Sequence, residues 1–360
     1  MNKKNLFISN FKMKEEKKHF MKRASIFILI FVSIFLLLDH TYLILHSNYD
    51  SRIQKDRFFD DQITKKNIEI LFLGDSHAEK GINTELISNN SFNYAIAGDS
   101  YFQDYYKLKR ILDENKTELK YIFLEIDLHT FSAFNISNEL RNELDYYLPI
   151  ADKNEILEIS NEDSIPLSYY IYSKFKSIGK LEDLIKYFLI NFLEKHKIRT
   201  KNEEKKFTQI KNKEILIIDK VNGDFKNKKR INEVNYNYFI RTLTLAKKSN
   251  ITVILIKYPV TNEYLNEIKN RNIEIEGYYK KIENSVTQVF ESCDQLNFPF
   301  IKNDFEDCSK NDYYYLDYQE LFTNNSDYFY DVTHLNKIGS KQLSKQIQKD
   351  LLNIRIILSE

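Results

Sequence analysis

The sequence predicts an α/β protein: a five-stranded, mainly parallel sheet with a helix-rich insertion and one N-terminal transmembrane helix. Three observations lead there. Short continuous apolar runs alternate with helical stretches over residues 68–130, and the same rhythm resumes over 250–350. The lysine-rich stretch between them, 135–235, breaks that rhythm and leans helical. Ahead of everything lies an apolar segment at 24–45.

The N-terminal 23 residues carry Lys3, Lys4, Lys12, Lys14, Lys17, Lys18 and Lys22 and end in Arg23. Residues 24–38 are an uncharged stretch, apolar apart from Ser25 and Ser33, and Thr41-Tyr42-Leu43-Ile44-Leu45 continues them after Asp39-His40. A bilayer takes about 20 such residues as a helix. Asp39-His40 then falls near the far interface, where a charge costs less than at the centre. The basic flank stays cytoplasmic and the remainder is exported. No small-x-small site follows the apolar run, so an uncleaved single-pass anchor is expected rather than a cleaved signal peptide. The resulting organisation is a cytoplasmic basic tail (1–23), the anchor (24–45), a polar stalk (46–66), a first part of the α/β domain (67–134), the insertion or cap (135–235) and a second part (236–360).

Residues 68–73, apolar apart from Glu69 and with β-branched Ile68 and Ile70 and aromatic Phe72, stop at Gly74, the pattern of a buried strand. Residues 78–88 read as a helix. The second strand is 92–97, ending at Gly98. A helix through Tyr105, Leu108 and Leu112 leads to a third strand at 121–126. Past the insertion come a helix at 237–249, a strand at 251–258 stopped by Pro259, and a helix over 262–293. A short strand at 313–316 and a helix at 337–352 close the chain. Lys+Arg 53 against Asp+Glu 52 gives net charge +1, so no bulk field favours a nucleic-acid partner. The run 201–206 reads as a solvated charged face. Cys293 and Cys308 lack metal-ligand spacing; in an exported protein they are either a disulfide or two free thiols.

Two strings carry chemistry. Gly74-Asp75-Ser76-His77 follows the first strand, and Asp331-Val332-Thr333-His334-Leu335-Asn336 precedes the last helix. Taken alone, each reads first as structure: a turn with a helix cap, and a capping Asp beside a surface His. Together they supply a serine, an imidazole and a carboxylate, the groups that nucleophilic acyl transfer needs. Ser76 lies at the carboxyl end of a parallel strand and at a helix N-terminus, where negative charge is favoured. The i, i+3 spacing lets Asp331 reach one nitrogen of His334 while the other faces outward.

These strings resemble the SGNH (GDSL-type) hydrolase superfamily, whose first block is strand-Gly-Asp-Ser and whose last is Asp-x-x-His. Asn93-Tyr94-Ala95-Ile96-Ala97-Gly98-Asp99-Ser100 is similar to its second block. The resemblance covers 68–130 and 250–350 and implies a flavodoxin-like three-layer fold. It also implies Ser76 as nucleophile, His334 as base and Asp331 as its orienting carboxylate, with the N–H groups of Ser76 and Gly98 as the oxyanion hole. Asp75, His77, Asn93 and Asn336 are the expected substrate contacts. The family's third block, Gly-x-Asn-Asp, is missing: Asp127-Leu128-His129-Thr130 stands there, and His129 is the candidate replacement donor. Losing one such donor costs about 100- to 1000-fold in turnover. The missing Asn and the anchor together resemble the membrane-anchored branch that O-acetylates bacterial envelope glycans. That branch implies a cell-envelope polysaccharide as substrate and a multi-spanning membrane acyltransferase as acyl donor; no cofactor or metal is expected. A non-catalytic glycan-binding or assembly protein on the same fold is the alternative, and a secreted lipase stands third.

Overall fold

The computed structural model describes residues 3–114, 117–131, 185, 189, 207–209, 212–225, 232–271, 273, 276–290 and 313–353. Cys293, Cys308, the charge run 201–206 and most of the insertion lie outside them.

Five strands form one sheet: β1 (Ile70–Phe72), β2 (Ser91–Asn93), β3 (Tyr121–Glu125), β4 (Thr252–Lys257) and β5 (Tyr313–Asp317). Their order is β2-β1-β3-β4-β5, and all four pairings are parallel. Parallel strands need crossovers, and the chain supplies helices for them. The order reverses direction between β1 and β3. In open α/β sheets, ligands bind outside the carboxyl ends of the strands at such a switch point.

Strand periodicity sorts the core into two layers. Ile70 and Phe72, Phe123, Ile254 and Ile256, and Leu316 share one buried cluster, in which the Phe72 and Phe123 rings stack 4.1 Å apart. That cluster takes in Ala78 of α3 (Ser76–Gly81), Val221 of α5 (Lys213–Asp224), Leu265 of α7 (Asn262–Asn270) and Leu343 and Ile347 of α9 (Lys337–Asn353). The alternate residues Leu71, Ile122, Leu124, Val253 and Leu255 are also fully buried and point to the opposite layer. There α4 (Tyr101–Glu114) packs on α6 (Glu233–Lys248), and α6 packs on α8 (Glu276–Phe290). The three-layer α/β fold expected from the sequence is present. One expected helix, 262–293, is divided into α7 and α8; the Arg271 N–H closes α7 on the Glu267 carbonyl.

Two compact units are present: Met1–Gln54 falls in one, and the sheet with its flanking helices in the other. The first unit contains α1 (Lys3–Tyr49), whose 26-residue segment Lys17–Tyr42 includes an 18-residue stretch of mean hydropathy 2.2. By length and composition it is able to cross a bilayer. Within 46–66, expected to be a stalk, Ser51–Lys65 form the helix α2. From Lys55 onward α2 belongs to the sheet unit. Phe59 is buried, stacked on Tyr94 at 5.0 Å and edge-on to Phe92 at 5.1 Å. Arg110 holds both oxygens of Asp60 at 2.8 Å, and the Tyr94 hydroxyl donates to Asp56.

Candidate active site

The turn after β1 is shaped by Gly74, at φ +130°, where a Cβ would lie 2.6 Å from Glu125 Oε2. Only glycine takes that backbone without strain. Asp75 caps α3, its Oδ1 accepting from the His77 N–H at 2.8 Å. Ser76 is therefore the first residue of a helix, and its N–H lies outside the helix's own hydrogen-bond ladder. The loop after β2 runs alongside, held by the Ile96 N–H on the Gly74 carbonyl. It brings Gly98, exposed and at φ +85°, to the same sheet edge.

Asp331 and His334 arrive on the loop before α9. Asp331 Oδ1 accepts the N–H groups of Thr333 (3.0 Å) and His334 (2.9 Å). Thr261 donates both N–H and hydroxyl to the Val332 carbonyl, and Tyr330 N–H bonds the His334 carbonyl at 2.8 Å. So fixed, His334 Nδ1 lies 2.8 and 2.9 Å from the two Asp331 oxygens, and Nε2 lies 2.7 Å from Ser76 Oγ. The carboxylate assigns the proton to Nδ1, which leaves Nε2 to accept from the serine hydroxyl.

No family model matches the chain, and no curated protein matches it. Among solved structures it is similar to a Bacteroides fragilis NCTC 9343 protein described as "a putative acylhydrolase", at 11% identity over 84% of this chain and 97% of that one, TM-score 0.38. A second is described as "a putative platelet activating factor from Streptococcus pneumonia", at 13% identity, 91% and 99% coverage and TM-score 0.30. At such TM-scores the reaction is left to the site itself.

Electrostatics favour a working base. Burial lowers the His334 imidazole from its usual value, by more than the Asp331 contact raises it, so it is neutral at pH 7. Burial alone would raise the Asp331 carboxyl, but the His334 ring and two backbone N–H groups hold it well below the usual carboxylate range.

Behind Ser76 lies a layer the motifs do not disclose. His77 Nδ1 bonds Asp127 Oδ2 at 2.7 Å, and Asp127 Oδ1 accepts the Tyr258 N–H at 3.0 Å. His129 Nε2 lies 2.7 Å from Asp75 Oδ2. Burial opposes charge on both partners of that pair, but their mutual attraction wins, lowering Asp75 and raising His129. Glu125, at the end of β3, accepts the Asp75 N–H at 3.1 Å. Burial raises its carboxyl well above the usual range, and Asp75 and Asp127 add to that. Asp104 accepts the Gly74 N–H at 3.1 Å; burial pushes it up to about 7 despite Lys107.

Ser76, His334 and Asp331 are thus brought together. The four expected substrate contacts turn their polar groups into the protein. Asp75 and His77 are engaged as above, and Asn93 Nδ2 caps the Ala78 carbonyl at 2.9 Å. Asn336 Oδ1 accepts the Ile338 and Gly339 N–H groups at the start of α9. His129, expected beside the oxyanion, has Nε2 committed to Asp75. Glu125, Asp127 and Asp104 were the residues missed. Their one signal is an acid at the end or flank of an otherwise apolar run, as in Tyr121-Ile122-Phe123-Leu124-Glu125-Ile126-Asp127.

Proposed function

We propose that this chain is a membrane-anchored, SGNH-type serine acyl-transfer enzyme that moves O-acyl groups, acetyl first among them, on an extracytoplasmic cell-envelope polysaccharide. The observation that carries the reading is the 2.7 Å contact from His334 Nε2 to Ser76 Oγ, with Asp331 at 2.8 Å behind the same ring. Ser76 Oγ attacks the ester carbonyl as its proton passes to His334 Nε2. The imidazolium so formed is stabilised by Asp331. The tetrahedral oxyanion is held by the N–H groups of Ser76 and Gly98. Collapse expels the donor's alkoxide, which leaves with the proton from His334, and acyl-Ser76 remains. His334 then takes the proton of an acceptor hydroxyl, which attacks the acyl-serine; after collapse the proton returns to Ser76 Oγ. If the acceptor is a sugar the reaction is transfer, and if water it is hydrolysis.

The transfer branch and glycan acceptor are supported by the basic flank and apolar helix at the N-terminus, and by the absent Asn after β3. The multi-spanning acyl donor rests on the same resemblance. The test pairs two assays on the full-length protein in detergent. A fluorophosphonate should label wild type and leave Ser76→Ala unlabelled; labelling of that variant overturns Ser76 as nucleophile. With an acetyl ester donor and candidate oligosaccharides, acetyl should move to sugar hydroxyls faster than to water. Release of acetate alone would make the protein an esterase.

A further inference from the structure

The layer beneath Ser76 gathers more ligating atoms than acyl transfer uses. Asp75, His77, Glu125 and His129 each offer one ligand atom, and all four atoms lie within 4.8 Å of one another. The carboxylates share one arrangement, with one oxygen held by a backbone N–H and the other turned toward the imidazoles. Asp75 gives Oδ1 to the His77 N–H and Oδ2 to His129. Glu125 gives Oε2 to the Asp75 N–H. Asp127 gives Oδ1 to the Tyr258 N–H and Oδ2 to His77 Nδ1, and so stands as a fifth donor at the edge. Backbone donors steadying the rear oxygen of a carboxylate are what an outer coordination shell provides.

The independent sign is Glu125 Oε1. Glu125 is 1% exposed; no backbone or imidazole N–H donates to this buried oxygen, and the carboxyl it belongs to faces that of Asp127. It lies 3.7 Å from His77 Nδ1 and 3.7 Å from His129 Nε2. That is too long for a hydrogen bond. It is close to the roughly 3.4 Å separating ligand atoms around a tetrahedral ion with bonds of about 2.1 Å. The 2.7 Å contact between Asp75 and His129 needs to open by only about 0.7 Å to meet the same geometry.

We infer that Asp75, His77, Glu125 and His129 bind a first-row divalent cation, with zinc the ion best suited to two imidazoles and two carboxylates at four-coordination. The donors are protein groups and three of the four are buried, which makes the site a structural one. It clamps the turn that carries Ser76 at the end of β1 to the end of β3. The inference does not depend on the reaction proposed for Ser76. Sequence spacing hides it, because the ligands come from two short segments, 75–77 and 125–129, about 50 residues apart.

The test uses full-length untagged protein in detergent. Elemental analysis should find about one zinc, manganese or iron per chain. Chelator-stripped protein should gain several degrees in Tm on adding Zn²⁺, and Co²⁺ should produce visible d–d bands of tetrahedral intensity. Glu125→Gln and His129→Gln should each weaken Zn²⁺ binding at least tenfold, whereas Asp331→Asn should bind as wild type does. Wild-type protein with no bound metal, no Zn²⁺-dependent Tm shift and no Co²⁺ bands would overturn the site; those readouts need no variant to fold. Unchanged Zn²⁺ affinity in both ligand variants would overturn the assignment of these residues.

Discussion

His334 sits between two opposed influences, burial lowering its pKa and Asp331 raising it, with burial the larger. On the proposed mechanism its neutral form is the base, so the acid limb of kcat/KM for an acetyl ester should fall below the ordinary imidazole value of about 6.5. Asp331→Asn removes the raising influence. The limb should move to still lower pH while kcat drops about 10²- to 10⁴-fold, and a pH–rate profile of both proteins checks this. Asp104 governs stability instead. Its folded pKa, about 7, lies above the unfolded value, so its contribution is fully present below about pH 4 and is lost as pH rises through 7. Asp104→Asn should flatten the melting midpoint over that window, removing a slope of up to about 1.4 kcal/mol per pH unit. The candidate site groups were legible because each motif is local: Asp75 caps the N–H two residues on, and Asp331 reaches His334 three residues on. Glu125, Asp127 and Tyr258 were not, because only strand register brings the ends of β3 and β4 to the turn after β1.

Two elements depend on a missing side chain. At Gly74 an added Cβ meets Glu125 in a backbone region that L-residues avoid, so Gly74→Ala should destabilise by about 3 kcal/mol in denaturant titration. At Gly339, in the first turn of α9, a Cβ would lie against the Tyr328 carbonyl oxygen, which also accepts the Asn336 N–H. Gly339→Ala should shift the loop carrying Asp331 and His334. Its signature is a fall in kcat larger than the change in KM, at a stability cost of about 1–3 kcal/mol. The helix α2 marks the limit of reading elements from pattern. Fifteen residues, polar on most sides, looked like a spacer, yet Phe59 is buried against Tyr94 and Phe92. One aromatic anchor and an Arg110–Asp60 pair across 50 residues leave no periodicity to detect.

At the scale of the molecule, the five-stranded parallel sheet was legible because apolar runs of strand length, alternating with helical stretches, admit few topologies. The Lys17–Tyr42 segment sets a second expectation. The protein should stay in the membrane pellet through alkaline carbonate washing. Replacing the seven lysines and Arg23 of the tail with Gln should lower the fraction inserted with its N-terminus in the cytoplasm, read by cysteine accessibility.

Ser76 and His334 are 258 residues apart along the chain and 2.7 Å apart in space. A ribosome adding about 5–20 residues per second needs roughly 13–50 s to travel from one to the other. The strand that leads to Ser76 is among the first made, and the loop that carries His334 is among the last. For that interval the hydroxyl has no partner to take its proton. On the proposed mechanism the polypeptide therefore completes its reactive pair only near the end of synthesis, and a message cut short before Asp331 yields the serine without the histidine that would take its proton.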